Sequence, residues 1–573
     1  MEFDVILRGG LVFDGSRRPP VEADLGIRDG RVVELRPRIV GSAARDVDVA
    51  GHWVCPGFLD VHTHYDAEIE GLPGLEESVR QGVTTVVIGN CSLSAGLGDA
   101  EDLLDLFCRV ENLPRVVVAE WLRAAPRPDG PGAYLAHLEQ LPLGPNVAAL
   151  LGHSSLRAHV MGLERSAREA RATSEELARM TELTEEAMKA GYLGLSVDLL
   201  PWHRLDRRAG VCIPSQRACL AEYAVLADVV RRHRGVLQAT PNAAFKLSAA
   251  FLFFLSAGLL RAPLKLSLVA LLDLKGSPWV HKVGLVAATL ANAMLRAQAR
   301  WQVLPTAFAV YADGANTPLF EEFAAGVRAL DAADGEQRRA LFQDKAFCED
   351  FLRDWRRSGP RNFPRDLEEV CVLSSTDSTL VGKSIAEAAR ERGMDPLDLF
   401  VERLGVEGDS LRWRTVTANH RKDVLRTMLR HHTTLPGFTD SGAHNRNMAY
   451  HDGALKLLRD AVQTPGWMSP AEAVARLTRE SAEWFGISTG SVAPGARADV
   501  VVIDPQALRG PDNEMLAEAD PRIGGVTRMV PRGAQPVRWS FIGGKPAVEN
   551  GALSAELGRV RMGAVLRRTG VTA

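Results

Sequence analysis

Cysteine is scarce in this chain: seven in 573 residues, an odd number, scattered from Cys55 to Cys371 with no CxxC spacing. That excludes a disulfide framework and fits a reducing cytoplasm. Charge surplus is also missing. Against 68 Lys and Arg stand 71 Asp and Glu, so the net charge is −3. No basic excess points to nucleic acid, and no like-charge block forms an interaction tail. The start, MEFDVILRGG, carries two acids before any apolar run, and so lacks the basic opening and long apolar core of a secretory signal. The two most apolar stretches, 243–260 and 283–295, each fall short of the roughly 20 residues that span a bilayer. There are no internal repeats. The expectation is a cytoplasmic protein with no membrane span, acting on a small molecule, with homo-oligomerisation left open.

What remains is an ordinary globular balance, 46% hydrophobic and 24% charged. The first segment reads as hairpins: VILRGGLVFDG and LGIRDGRVVEL turn at Gly9-Gly10 and Asp29-Gly30. The far end has the same texture in ADVVVID (498–504) and VRWSFIGGKPAVENG (537–551). The two ends are expected to form one small β-sandwich domain from residues 1–55 and 490–573. The middle alternates between strand-like and helix-like stretches. Eight strand candidates fall at 53–64, 84–90, 146–152, 192–197, 236–240, 263–269, 302–308 and 435–440. Helical patterns lie between several of them; SEELARMTELTEEAMKAG (174–191) is one, with a polar, acidic start and a glycine end. Eight such units predict an α/β fold, a (β/α)8 TIM barrel over 56–480. The long stretch 309–434 predicts added helices near 320–330 and 384–405. Residues 331–339 and 358–365 read as loops.

A barrel concentrates function at the C-terminal ends of its strands. His62 and His64 close the first strand in PGFLDVHTH. Residues i and i+2 of a strand share a face, about 7 Å apart, so two imidazoles can converge on one ion. Cys91 ends the second strand in TTVVIGNC, where a thiolate is a good zinc ligand; many buried cysteines are simply inert. Asp440 ends the eighth strand in GFTDSGAH, beside the first once a barrel closes. There it can touch a metal and take a proton from activated water, or merely cap the next helix. His153 in LLGHSSLR and His444, four residues past Asp440, are candidate catalytic or substrate-contacting groups. Arg157 and Arg446 are candidate bidentate holders of a substrate carboxylate. Asn242 and Gln238, at the end of the fifth strand, offer neutral oxygens.

The motifs VCPGFLDVHTHYDAE, GVTTVVIGNCSLS, LLGHSSLR, GYLGLSVDL, LPGFTDSGAH and GSVAPGARADVVVIDP resemble those of the amidohydrolase superfamily. Within it they resemble the N-acyl-D-amino-acid deacylase (D-aminoacylase) family, over nearly the whole chain. The resemblance implies zinc, hydrolysis of N-acylated D-amino acids, Cys91 in a metal-bridging position and Asp440 as general base. One departure is plain. The family pattern adds a histidine on the fifth strand and another on the sixth, whereas VLQATPN and KLSLV have none.

That departure predicts a single well-occupied zinc held by His62, His64, Cys91 and Asp440. Three readings stay open: hydrolysis of an N-acyl-D-amino acid, hydrolysis of a cyclic amide, imide or carbamate on the same barrel, and a metal-poor, non-enzymatic relative.

Overall fold

A computed structural model describes residues 2–126, 129–242, 246–357 and 364–569. Eight strands form one curled parallel sheet, each beside the next in chain order. They are Phe58–Asp60, Val83–Ile88, Asn146–Gly152, Gly194–Asp198, Val236–Thr240, Lys265–Leu268, Gln298–Val303 and Thr434–Pro436. After a one-residue break, the first and eighth continue as His62–Thr63 and Phe438–Ser441, which pair in parallel with Phe438 opposite His62. The seam is reinforced by Val61 N–H donating to Gly437 O at 3.0 Å and His64 N–H to Ser441 O at 2.7 Å. Strands covered on both faces should be apolar throughout, and TTVVI and NVAALLG are buried at every residue. Alternate residues serve different layers. Val86, Ile88 and Leu151 pack among the surrounding helices, whereas Val87, Ala148 and Leu150 join a separate cluster.

Local signals set the helices. Ser174–Ala190 is capped by Thr173, one residue before the expected start, through a reciprocal box with Glu176; it stops at Gly191, whose φ is 106°. The insertion between the seventh and eighth strands carries the expected helices, at Ala324–Leu330, Ile385–Arg392 and Pro396–Glu407. It also holds an unforeseen antiparallel sheet of Phe308–Asp313, Arg412–Ala418 and Cys371–Ser374. The loop expected at 331–339 is in part a helix, Gly335–Leu341, because Asp334 accepts from Gln337 N–H and caps it. Of the loop expected at 358–365, residues 358–363 lie outside the described residues.

Strands from both chain ends join in one nine-stranded sheet. Trp53–Pro56 pairs antiparallel with Val500–Ile503, so the two ends meet edge to edge, and the sheet curls enough for Val32 N–H to bond Ala496 O at 2.9 Å. The C-terminal stretch leaves this sheet for the barrel: Leu566 N–H bonds Val147 O at 2.7 Å and Arg568 N–H bonds Gly191 O at 3.0 Å. Residues 562–569 therefore run along the barrel, while Ser554 N–H still bonds Ala547 O of the terminal sheet at 2.9 Å. A hairpin, Glu514–Ala519 with Thr527–Arg532, reaches across to it as well, pairing Arg528 with Glu68 at 2.8 Å.

The apolar run 243–260 begins outside the described residues and continues as the helix Lys246–Ser256. Leu252, Phe253 and Leu255 are buried, while Phe254, Leu259 and Leu260 are exposed. It follows the fifth strand and contacts the sixth and seventh, as an outer barrel helix does. No helix among the described residues is long and apolar enough to cross a membrane.

Candidate metal centre

Four side chains from three strand ends converge. His62 Nε2 lies 3.3 Å from His64 Nε2, 3.4 Å from Cys91 Sγ and 3.7 Å from Asp440 Oδ1. His64 Nε2 lies 3.4 Å from the same carboxylate oxygen. Tetrahedral zinc, with bonds of about 2.0–2.3 Å, places its ligand atoms about 3.3–3.8 Å apart. Each of these four pairs is spaced like two ligands of one such ion, and His62, His64 and Cys91 offer ligand atoms that all lie within 4.8 Å of one another.

The backbone around the ligands is unusual in a consistent way. Cys91, Asp440 and His444 all adopt positive φ, at 48°, 56° and 46°. Non-glycine residues hold such conformations where the surroundings over-determine them. Before Cys91, Gly89 turns at φ 80°, and a Cβ there would come within 2.0 Å of Leu150 O, so only glycine fits. The Cys91 loop is then tied down by serines. Ser92 N–H donates to Ser196 Oγ at 3.0 Å, Ser94 N–H to Ser155 Oγ at 3.0 Å, and Ser154 N–H to Ser92 O at 2.8 Å.

Strands five and six, which carry no histidine, hold the ligands from behind. Gln238 Oε1 accepts from Cys91 N–H at 3.1 Å. Ser267 Oγ accepts from Gln302 Nε2 at 3.0 Å, and Gln302 Oε1 lies 2.8 Å from His62 Nδ1. That contact puts the proton on Nδ1 and leaves Nε2 as the free electron pair. Burial, followed by the neighbouring His64, pushes the His62 imidazole down to about 3, so it stays neutral. Burial resists ionisation of Asp440, but His64, then His62 and His444, outweigh it and hold the carboxyl at about 2. Burial raises the Cys91 thiol well above its ordinary range, with Asp198 and Asp440 adding to the effect. A bound dication reverses that balance and deprotonates a ligating thiol.

The structure brings His62, His64, Cys91 and Asp440 together and places the other predicted residues elsewhere. His153 is wholly buried, its Nε2 2.8 Å from Glu222 and its Nδ1 3.0 Å from Ser215 Oγ. Arg157 grips both oxygens of Glu222 at 2.7 and 2.6 Å and also reaches Glu169 O at 2.7 Å. These two residues form a buried ion-pair cluster at the base of the helix that anchors the Cys91 loop, which corrects the catalytic and carboxylate-binding parts expected of them. Arg446 likewise embraces Asp313, which Arg412 shares; an arginine so paired does not await a substrate carboxylate. His444 is half-buried, and its imidazole is pushed down to about 4 by burial, against the pull of Asp440. Asn242 stands two residues past the fifth strand, its backbone carbonyl accepting from Ser248 Oγ at 3.2 Å.

Two residues escaped the sequence reading. Asp198 ends the fourth strand and His203 lies five residues on; the two are hydrogen-bonded. Ligand atoms of Cys91, Asp198 and His203 all lie within 4.8 Å of one another. The rule that selected Cys91 and Asp440, a polar group at a barrel strand's C-terminal end, also fits Asp198. His203 sits in a loop with no periodic signal.

A curled parallel α/β sheet with two histidines, a cysteine and an aspartate at its strand ends defines a metal-dependent hydrolase. Residues 45–546 match the Amidohydrolase family, and the chain belongs to it; it is a hydrolase of C–N bonds other than peptide bonds. An uncharacterized protein of Mycobacterium tuberculosis is 42% identical over 97% of this chain and 93% of its own length. D-aminoacylase of Alcaligenes xylosoxydans xylosoxydans is 39% identical over 34% of this chain and 37% of its own. In fold, the chain is similar to N-acyl-D-glutamate deacylase from Bordetella bronchiseptica, solved with zinc and a phosphonate mimic of the tetrahedral intermediate. That likeness has a TM-score of 0.63 and 22% identity over 99% of this chain and all of that one.

Proposed function

We propose that this chain hydrolyses the amide of an N-acyl-D-amino acid, with zinc held by His62, His64, Cys91 and Asp440 and with Asp440 as general base. The observation that carries the reading is the convergence of these side chains at the strand ends, with His62 Nε2 3.3–3.7 Å from a donor atom of each of the other three and His64 Nε2 3.4 Å from Asp440 Oδ1. The D-aminoacylase and N-acyl-D-glutamate deacylase relatives support the substrate class.

A zinc ion bound there would lower the pKa of a water and polarise the amide carbonyl. Asp440, ionised across the working pH range, takes the water's proton and later passes it to the leaving amine. His62, neutral and fixed by Gln302, keeps its Nε2 electron pair on the centre. His444, half-buried and electrostatically coupled to Asp440, is the proposed substrate contact. Asn242 borders the same end of the barrel.

The test is a panel of N-acyl-D-amino acids, their L counterparts, cyclic amides and imides, and carbamates, each with and without chelation and zinc restoration. Zinc-dependent turnover of the D-amides is expected. Turnover confined to cyclic substrates or carbamates would move the reaction to the second reading. No metal uptake and no turnover would leave a non-enzymatic barrel.

A further inference from the structure

The helix Val280–Met294 precedes the seventh strand and packs on it, burying His281, Gly284, Leu285, Ala288 and Ala291. A helix in that place normally turns polar side chains outward. The helix Ser174–Ala190 does so, exposing Glu175, Arg179, Glu182, Glu186 and Lys189. Here Trp279, Val283, Val286, Leu290 and Met294 are exposed instead, at the three- and four-residue steps that line one helix face. The apolar surface continues past the helix end. Gly258 N–H bonds Leu295 O at 2.9 Å and Gln298 N–H bonds Ser256 Oγ at 3.0 Å. These bonds bring the exposed Leu259 and Leu260 to the C-terminal end of the helix. Phe254 is exposed on the neighbouring helix, Lys246–Ser256, which packs alongside. Among the described residues eighteen large apolar side chains are exposed, and eight of them fall between Phe254 and Met294. Scattered single ones are ordinary, but such a cluster marks an interaction surface.

The charge around this surface is of one sign. Between Asp228 and Asp313 the sequence has ten Lys and Arg but one acid, Asp273, in a chain whose net charge is −3. Asp273 is fully buried and held by Arg421. Lys282 and Arg296 are exposed at the two ends of the helix and make no ion pair among the described residues. The exposed Arg261, next to Leu260, has only Asp228, which Arg231 shares. We propose that this flank of the barrel docks on the surface of an anionic phospholipid bilayer. The stripe from Trp279 to Met294 and the Leu259-Leu260 turn would enter the apolar layer, with Lys282, Arg261 and Arg296 against the headgroups.

The chemistry of the face selects this occupant. Fifteen residues make a helix about 22 Å long, short of the roughly 30 Å hydrocarbon core, so the helix lies in the interface plane with its apolar side down. Trp279, at one end of the stripe, is a residue type that favours the headgroup level. A protein partner needs about one hydrogen bond per 100–200 Å², and this helix has little to offer one. Lys282 is its single Lys, Arg, Asp or Glu. The Thr289 hydroxyl is spent on Leu285 O at 2.8 Å, and the Asn292 amide holds Ala299 at 2.8 and 3.0 Å. A second copy of the chain would set the same cations against one another. An anionic bilayer takes up the apolar side chains and neutralises the cations at the rim.

The experiment mixes the full chain with sucrose-loaded vesicles of phosphatidylcholine, with or without phosphatidylglycerol, and measures the fraction that sediments with them at low and high salt. Wild type should bind the anionic vesicles in preference to the neutral ones, and more weakly at high salt. Leu260→Ser combined with Val286→Ser and Leu290→Ser should abolish binding. Lys282→Gln and Arg296→Gln should each weaken it about fivefold. All five side chains are exposed, and circular dichroism with melting checks that each variant keeps its fold. Sedimentation velocity without vesicles reports self-association. A wild type that stays in the supernatant with anionic vesicles overturns the proposal, and the wild-type result stands whatever the variants do. Equal binding to neutral vesicles, or binding that the triple variant retains, also overturns it. A dimer that the triple variant dissolves, with no vesicle binding, gives the face to a second copy instead. Binding is measured without turnover, so its failure is distinguishable from failure of the proposed hydrolysis.

Discussion

Gln302 stands 2.8 Å from His62 Nδ1 through its side-chain oxygen, and its amide nitrogen donates to Ser267. A glutamine on the seventh strand thus sets the tautomer of a ligand on the first, and a serine on the sixth orients the glutamine.

Loss of such an orienting partner typically costs 10- to 100-fold in metal affinity. Gln302→Leu should therefore weaken zinc binding by about 10–100-fold, measured by competition with a chromophoric chelator, while the secondary structure stays intact. An unchanged affinity would mean that packing alone orients His62.

Asp440→Asn keeps the shape of the side chain and removes its basicity. Turnover should fall by about 10²–10⁴, the usual worth of a general base, in steady-state assays at saturating zinc. Retention of most activity would assign the proton transfer to another group, with His444 a candidate.

The buried cluster of His153, Arg157 and Glu222 makes a prediction about stability rather than chemistry. Glu222→Gln removes the carboxylate that both partners grip and leaves an uncompensated guanidinium in the interior. The cost should be about 3–5 kcal/mol, read from denaturant unfolding. The folded fraction should keep its KM, because Arg157 does not face substrate.

A surface-proximal pair adds a pH signature. His137 Nε2 lies 2.7 Å from Glu70, and that hydrogen bond raises the His137 pKa above its ordinary value, against burial. A raised folded-state pKa stabilises fully below the unfolded value near 6.5 and loses the effect as pH rises through the folded value. The stability difference between wild type and His137→Ala should therefore be greatest in mild acid and shrink toward alkaline pH. A difference independent of pH would show that only packing is lost.

Much of this molecule was legible in the one-dimensional pattern. Alternating buried strands and periodic helices announce a parallel α/β sheet because burial on both faces demands apolar runs such as TTVVI and NVAALLG. His62, His64, Cys91 and Asp440 were legible too, since each ends a strand and parallel strands carry their C-terminal ends to one rim. Tertiary structure alone decided the rest. Arg157 and Arg446 look like anion holders in the sequence, but their partners Glu222 and Asp313 lie 65 and 133 residues away, beyond any local pattern. Gln238, Ser267 and Gln302 became supports for the ligands because curling the sheet sets strands five to seven behind strands one and two. His203 came to Cys91 through a loop whose path no periodicity encodes. Local chemistry and strand position determined which groups could bind a metal. Their partners were decided by long-range contacts, which arise only when distant segments fold against one another.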